Sequence, residues 1–182
     1  MNLPNKLTVL RVIMVPFFVF FMLTDVGGAA NKWIALVLFI VASLTDMLDG
    51  KIARKYNLVT NFGKFMDPLA DKLLVCSAMI CLVDLKLIPV WVVLIIIARE
   101  FIISGFRLVA AGKGNVIAAG IAGKIKTVTQ LVAISIMLLD DPIEKWTGIP
   151  VGLILLYISA ALSIWSCAEY IIKNKDALSQ MK

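Results

Sequence analysis

DMLDGKIARKYNLVTNFGKFMDPLAD, residues 46–71, sets four carboxylates at the facing ends of two apolar runs. Asp46, Asp49, Gly50 and Ala53 are spaced i, i+3, i+4 and i+7. A helix presents them as one stripe, with acids at one end and minimal side chains below. Gly63, Asp67 and Asp71 repeat the arrangement at i, i+4 and i+8, and both stripes let a ligand approach the backbone. Any one of these acids can be a solvated helix end or a partner for Lys51, Arg54, Lys64 or Lys72. Four acids converging from two antiparallel helices are harder to explain in that way, because intramembrane carboxylates are costly and repel one another unless a positive group sits between them. Divalent cations meet that need. Pro68 interrupts the second stripe: it removes a backbone bond to Lys64 and brings a ring clash, so a helix either kinks there or begins there.

The rest of the chain surrounds this stretch with hydrophobic sequence. Of its 182 residues 61% are hydrophobic and 16% charged, and the mean hydropathy is +0.96; soluble domains carry roughly 45–50% apolar and 25% charged residues. Apolar segments centre on residues 8–24, 33–54, 66–84, 88–111, 116–139 and 149–172, each near the length that spans a bilayer as a helix. Breakers separate them: Gly27 with Gly28, Asn57 with Asn61, Pro89, Gly112 with Gly114, and the interval from Pro142 to Pro150. The expected fold is therefore all-α, a polytopic membrane protein of six transmembrane helices forming a single domain over residues 1–182. The first segment, with Lys6 and Arg11 ahead of an apolar run, has some features of a signal peptide; Arg11 intrudes on that run, and the reading adopted is a retained helix.

Charge refines this picture. Every Lys and Arg except Lys32, Lys86 and Lys145 falls at the start of the first, third or fifth segment or the end of the second, fourth or sixth. In an up-and-down bundle those ends share one face, which the positive-inside rule makes cytoplasmic together with both termini. The formal net charge of +6 then reads as loop bias and attraction to anionic membrane lipids, not as nucleic-acid binding. Residues 2–11 admit two readings: a helix end whose charges snorkel to water, or a segment lining a headgroup site. Histidine is absent and Cys76, Cys81 and Cys167 lie in apolar runs without metal-ligand spacing. Ligation by oxygen alone favours Mg²⁺ or Mn²⁺ over zinc. A pair of such ions suits displacement at phosphorus, and acid–base work falls to Asp, Glu, Lys or Tyr.

Written as D-x2-D-G-x2-A-R-x8-G-x3-D-x3-D, residues 46–71 resemble the CDP-alcohol phosphotransferase signature at every defining position. The resemblance implies six transmembrane helices, commonly a homodimer, with the site at the cytoplasmic end in the inner membrane of a cell. It implies that Asp46, Asp49, Asp67 and Asp71 bind two ions, Mg²⁺ or Mn²⁺, and that Asp71 doubles as the base. It further implies that Gly50, Ala53, Arg54, Gly63 and Thr60 contact the CDP moiety. Asn2 to Arg11 (NLPNKLTVLR), Arg99 to Ala111 (REFIISGFRLVAA) and Gly123 to Gln130 (GKIKTVTQ) are most similar to the phosphatidylglycerophosphate synthase branch of the family. That likeness implies CDP-diacylglycerol as donor, sn-glycerol 3-phosphate as acceptor, and donor contacts from Asn5, Thr8 and Arg11.

The residues themselves agree with a phosphate-bearing acceptor. Arg99, Arg107, Lys124 and Lys126 gather cations near the ends of the fourth and fifth segments, enough for a phosphate dianion; taken singly, each also suits positive-inside bias or lipid headgroups. Three other readings compete. Another branch of the family would use serine, inositol phosphate, phosphatidylglycerol or choline. A cation transporter would carry its acids near the bilayer midplane with a polar path to both faces, and a membrane scaffold would have no use for the full signature.

Overall fold

The computed structural model describes residues 2–55, 61–112, 120–140 and 142–173, with the backbone alone at 46–55, 61, 62, 64, 65, 68 and 108–112. The described residues form α1 (Leu3–Leu23), α2 (Ala30–Lys55), α3 (Asn61–Asp84), α4 (Val90–Gly112), α5 (Ile121–Leu138), α6 (Pro142–Thr147) and α7 (Val151–Lys173). The long helices follow the apolar segments closely. The interval from Pro142 to Pro150, read as a turn, holds the short helix α6. The third helix neither begins at Pro68 nor ends before it: α3 starts at Asn61 and runs through.

α1 packs against α2 and α3, α5 against α7, and α7 also against α4. Phe18 of α1 meets Phe39 of α2 with ring centroids 5.9 Å apart. Around this pair the core collects Leu74, Leu82, Val92, Ile96, Ile134 and Leu156, all almost fully buried. Several polar groups inside the bundle bond to neighbouring helices or to their own. Gln130 donates to Met79 Sδ at 3.2 Å, Ser159 to the Lys126 carbonyl at 3.4 Å, and Ser163 to the Ser159 carbonyl at 2.8 Å. Without water to compete, such pairings and small interface residues hold membrane helices together.

The outer surface is apolar. Phe17, Leu94, Phe101 and Trp165 are each more than half exposed, a degree of apolar exposure that a water-soluble monomer does not sustain. Among the described residues α1, α5 and α7 are long and apolar enough to cross a membrane, with mean hydropathies of 2.1, 1.4 and 2.0. A shorter apolar stretch, Ala30–Thr45, lies within α2.

Cross-links fix the alternation of the helices. Arg11 of α1 bonds the Ala42 carbonyl of α2, and Lys126 near the start of α5 meets Glu100 in the second half of α4. At the opposite pole Lys32, near the start of α2, pairs with Asp140, two residues past the end of α5. Burial raises the pKa of the Asp140 carboxyl, but hydrogen bonds from Lys32 and Lys145 outweigh it and hold the group below the usual carboxylate value. The starts of α1, α3 and α5 and the ends of α2, α4 and α7 therefore share one pole, as the charge pattern requires.

Tight turns close the other pole. Asn31 donates to the Thr24 carbonyl and accepts from the Gly27 amide at 2.9 Å. A Cβ at Gly27 would collide with that side chain, and Gly28 turns the chain with φ 54°. At the end of α3, Lys86 takes φ 58° while its amide bonds Val83 and that of Leu87 bonds Leu82. This left-handed cap satisfies carbonyls that the helix leaves open.

Candidate active site

α1 turns a polar edge inward. Asn5, Thr8 and Arg11 recur at i, i+3 and i+6, and all three are buried, Thr8 and Arg11 completely. The Thr8 hydroxyl lies 3.1 Å from its own helix carbonyl at Pro4 and 2.5 Å from Asp67 Oδ1. Its single proton goes to the shorter, charge-assisted bond. Arg11 Nε donates to the Ala42 carbonyl at 3.2 Å; Ala42 lies one helical turn before Asp46 on the same face of α2. A snorkelling arginine would carry its guanidinium out to water. Arg11 does the reverse: it is fully buried, which counts against a helix end whose charges snorkel to water.

On α3, Gly63 is buried and Asp67 and Asp71 are half-buried one turn apart. Ala70, just before Asp71, is almost fully buried. Asp71 lies within electrostatic reach of Arg11, Lys72, Lys126 and Glu100. Lys72, next along the chain, bonds the Ser104 hydroxyl of α4. Asp67 is thus tied to α1, while Asp71 lies in the field of Arg11 of α1 as well as of Glu100 on α4 and Lys126 on α5.

Those groups form a compact cluster. Glu100 Oε1 accepts from Arg99 Nη1 at 2.9 Å and from Lys126 Nζ at 2.7 Å. Arg99 Nε also donates to Ser166 of α7 at 3.3 Å. Gly123 stands against the guanidinium, where an added Cβ would lie 3.0 Å from Nη2. Of the cations expected to act together, the structure joins Arg99 and Lys126. Arg107 stands apart with its guanidinium 5.7 Å from the centre of the Tyr170 ring, and Lys124 is exposed.

The remaining expectations fall where the structure is silent. Thr60 lies outside the described residues, as do the side chains of Asp46, Asp49, Gly50, Ala53 and Arg54; α2 carries the backbone of these five. Among the described residues no group of three or more acids and thiols forms a metal cluster, and only Asp67 and Asp71 of the four acids are included there. The donors that are described, two half-buried carboxylates beside a threonine hydroxyl, offer oxygen alone. That chemistry fits a hard divalent cation.

The family model for CDP-alcohol phosphatidyltransferase matches residues 1–165. The chain belongs to this family. The matched span runs from the N-terminus through α1 to α5 and most of α7, so it takes in both the acid stripes and the Glu100 cluster. Among curated relatives, a Bacillus subtilis protein named CDP-diacylglycerol–glycerol-3-phosphate 3-phosphatidyltransferase is 46% identical over 97% of each chain. Proteins of the same name from Rickettsia typhi and Escherichia coli K12 are 43% and 39% identical. The first alignment covers 93% of this chain and 94% of the relative, the second 98% of each.

Two features of this CDP-alcohol phosphatidyltransferase escaped the reading of its sequence. Glu100 is the hub of the cation cluster, and Lys72 reaches α4. The sequence signal for the first was present, since Arg99 and Glu100 are a charged pair inside an otherwise apolar run, but their partner lies 26 residues away on another helix.

Proposed function

We propose that the chain transfers the phosphatidyl group of CDP-diacylglycerol to sn-glycerol 3-phosphate, giving phosphatidylglycerol phosphate and CMP. The observation that carries this reading is the adjacency of two unlike subsites at one pole. Acids and donors from α1 and α3 lie beside a cation pair from α4 and α5, with Asp71 within the field of both. Nearly full-length relatives bear the name of this reaction.

On this reading the diphosphate lies along the stripes of Asp46 to Ala53 and Gly63 to Asp71. Gly50, Ala53 and Gly63 leave room for the nucleotide, and Thr60 and Arg54 bind it, the latter through its planar fork of donors. Asn5, Thr8 and Arg11 complete that side from α1. Two divalent cations, Mg²⁺ or Mn²⁺, would be held by Asp46, Asp49, Asp67 and Asp71; when bound they neutralise charge on the diphosphate and acidify a nearby hydroxyl. Arg99 and Lys126, with Arg107 and Lys124 further out, hold the acceptor's phosphate. The acceptor's primary hydroxyl oxygen bonds the β-phosphorus, the bond to the CMP oxygen breaks, and Asp71 takes the hydroxyl proton. The acyl chains of the donor stay in the bilayer beside the apolar surface of the bundle.

Release of CMP by the purified protein tests the reaction. It should be fast with CDP-diacylglycerol and glycerol 3-phosphate together and slow with the donor alone. A faster rate with serine or inositol phosphate would assign the chain to another branch.

The reading also sets six helices, α1 to α5 and α7, across the inner membrane as one domain. The active-site pole and both termini face the cytoplasm, and the chain is a homodimer. Single cysteines at Asn57 and Lys175 should label from the cytoplasmic side of sealed vesicles, and those at Asp84 and Asp141 from outside, because the basic residues crowd the first pole. Labelling of Asn57→Cys from outside would invert the topology.

A further inference from the structure

Glu100 is an acid that the reaction above does not use. It sits inside a helix bundle that is apolar on its outer surface, where carboxylates are expensive and persist when paired. Its Oε1 is shared by Arg99 Nη1 at 2.9 Å and Lys126 Nζ at 2.7 Å, and Lys126 is only 2% exposed. Two cations and one anion leave the cluster with one net positive charge. A lysine on a flexible stem has many rotamers, and an acid that accepts from it selects one. The arginine is held from three directions: by Glu100, by the Ser166 hydroxyl at 3.3 Å, and by the close approach of Gly123, where a Cβ would come within 3.0 Å of Nη2. Lys72 and Asp71 complete the charged surroundings of Glu100 and Lys126.

We propose that Glu100 is a positioning residue for the acceptor's phosphate, fixing Lys126 and Arg99 at one point beside Asp71. The proposal deepens the acceptor reading above and rests on it. Glu100 touches neither the donor nor the reacting oxygen. It sets where the two cations stand before the acceptor arrives, and an incoming phosphate oxygen takes over part of the bonding that Oε1 provides. Preorganisation of this kind lowers the cost of ordering long side chains on binding.

Initial rates of the purified full-length protein in lipid vesicles, with both substrates varied, test the assignment. Glu100→Gln keeps the shape and one acceptor oxygen but loses the charge that grips both cations. It should raise KM for glycerol 3-phosphate about tenfold while KM for CDP-diacylglycerol and kcat stay within about threefold. In a Lys126→Met background the same substitution should raise the acceptor KM by clearly less than about tenfold, because only Arg99 is then left for the carboxylate to position and residues that act through one another are not additive. Additive effects, or equal losses for both substrates, would overturn the proposal. If Lys126→Met leaves the acceptor KM unchanged, the acceptor reading falls and this proposal with it. If Lys126→Met raises that KM and Glu100→Gln does not, only the role of Glu100 falls. Should Glu100→Gln fail to fold, Glu100→Asp retains the charge on a shorter arm. Positioning requires its acceptor KM to rise by about threefold or more, since such sites tolerate little displacement, and a wild-type value would overturn the assignment.

Discussion

Asp71→Asn is expected to lower turnover by about 100-fold or more, the usual scale for losing acid–base assistance and equivalent to ~2.7 kcal/mol of barrier. A primary hydroxyl has a pKa far above neutrality, so a group must accept its proton as the bond to phosphorus forms, and the chain has no histidine to do it. Two described carboxylates compete for the task. Asp67 is engaged by the Thr8 hydroxyl at 2.5 Å, which directs it toward α1. Asp71 lies in the field of Arg11, Glu100 and Lys126, so it senses the cations proposed to hold the acceptor as well as the α1 side. A carboxylate that also binds a cation is a weak base, which argues against the assignment; acidification of the hydroxyl by the same charge offsets that weakness. Asparagine keeps the size and one acceptor oxygen, so donor affinity should change much less than turnover. Near-normal turnover in Asp71→Asn together with a collapse in Asp67→Asn would move the base to Asp67.

Chelation should have a still larger effect. In excess chelator the purified protein is expected to lose CMP release to background and to recover it with Mg²⁺ or Mn²⁺ at about millimolar concentration. The reason is electrostatic. Carboxylates within a membrane helix cost about 3 kcal/mol each on insertion scales, and on the proposed reading a diphosphate is brought among four of them, adding further negative charge to the same place. A second readout separates binding from catalysis: adding the cation should raise the thermal midpoint of the wild type, by mass action on the folded state, and much less that of Asp67→Asn or Asp71→Asn. Full turnover after exhaustive metal removal would refute the two-ion account.

Both expectations begin in the sequence, and much of the architecture was legible there. A chain of this hydropathy must satisfy its backbone polar groups internally, which leaves helices as the simplest solution for runs of this length. Helical periodicity then puts Asp67 and Asp71 on one face without reference to any other part of the chain. The family followed from the spacing of residues 46–71, because that signature is local. Charge at alternate segment ends was enough to group those ends at one pole, and the links between Arg11 and Ala42, Lys126 and Glu100, and Lys32 and Asp140 agree.

What only the tertiary structure decided is the register of one helix against another. The apolar faces of α1, α4, α5 and α7 look alike as sequence, so nothing local says which turn of one meets which turn of the next. Side-chain packing makes that choice, and with it brings Thr8 to Asp67 across 59 positions and Arg99 to Ser166 across 67. The same choice buries Arg11 instead of letting it reach water. It also singles out Arg99 and Lys126 from four candidate cations, because only those two stand at the depth where the Glu100 carboxylate can bind them both.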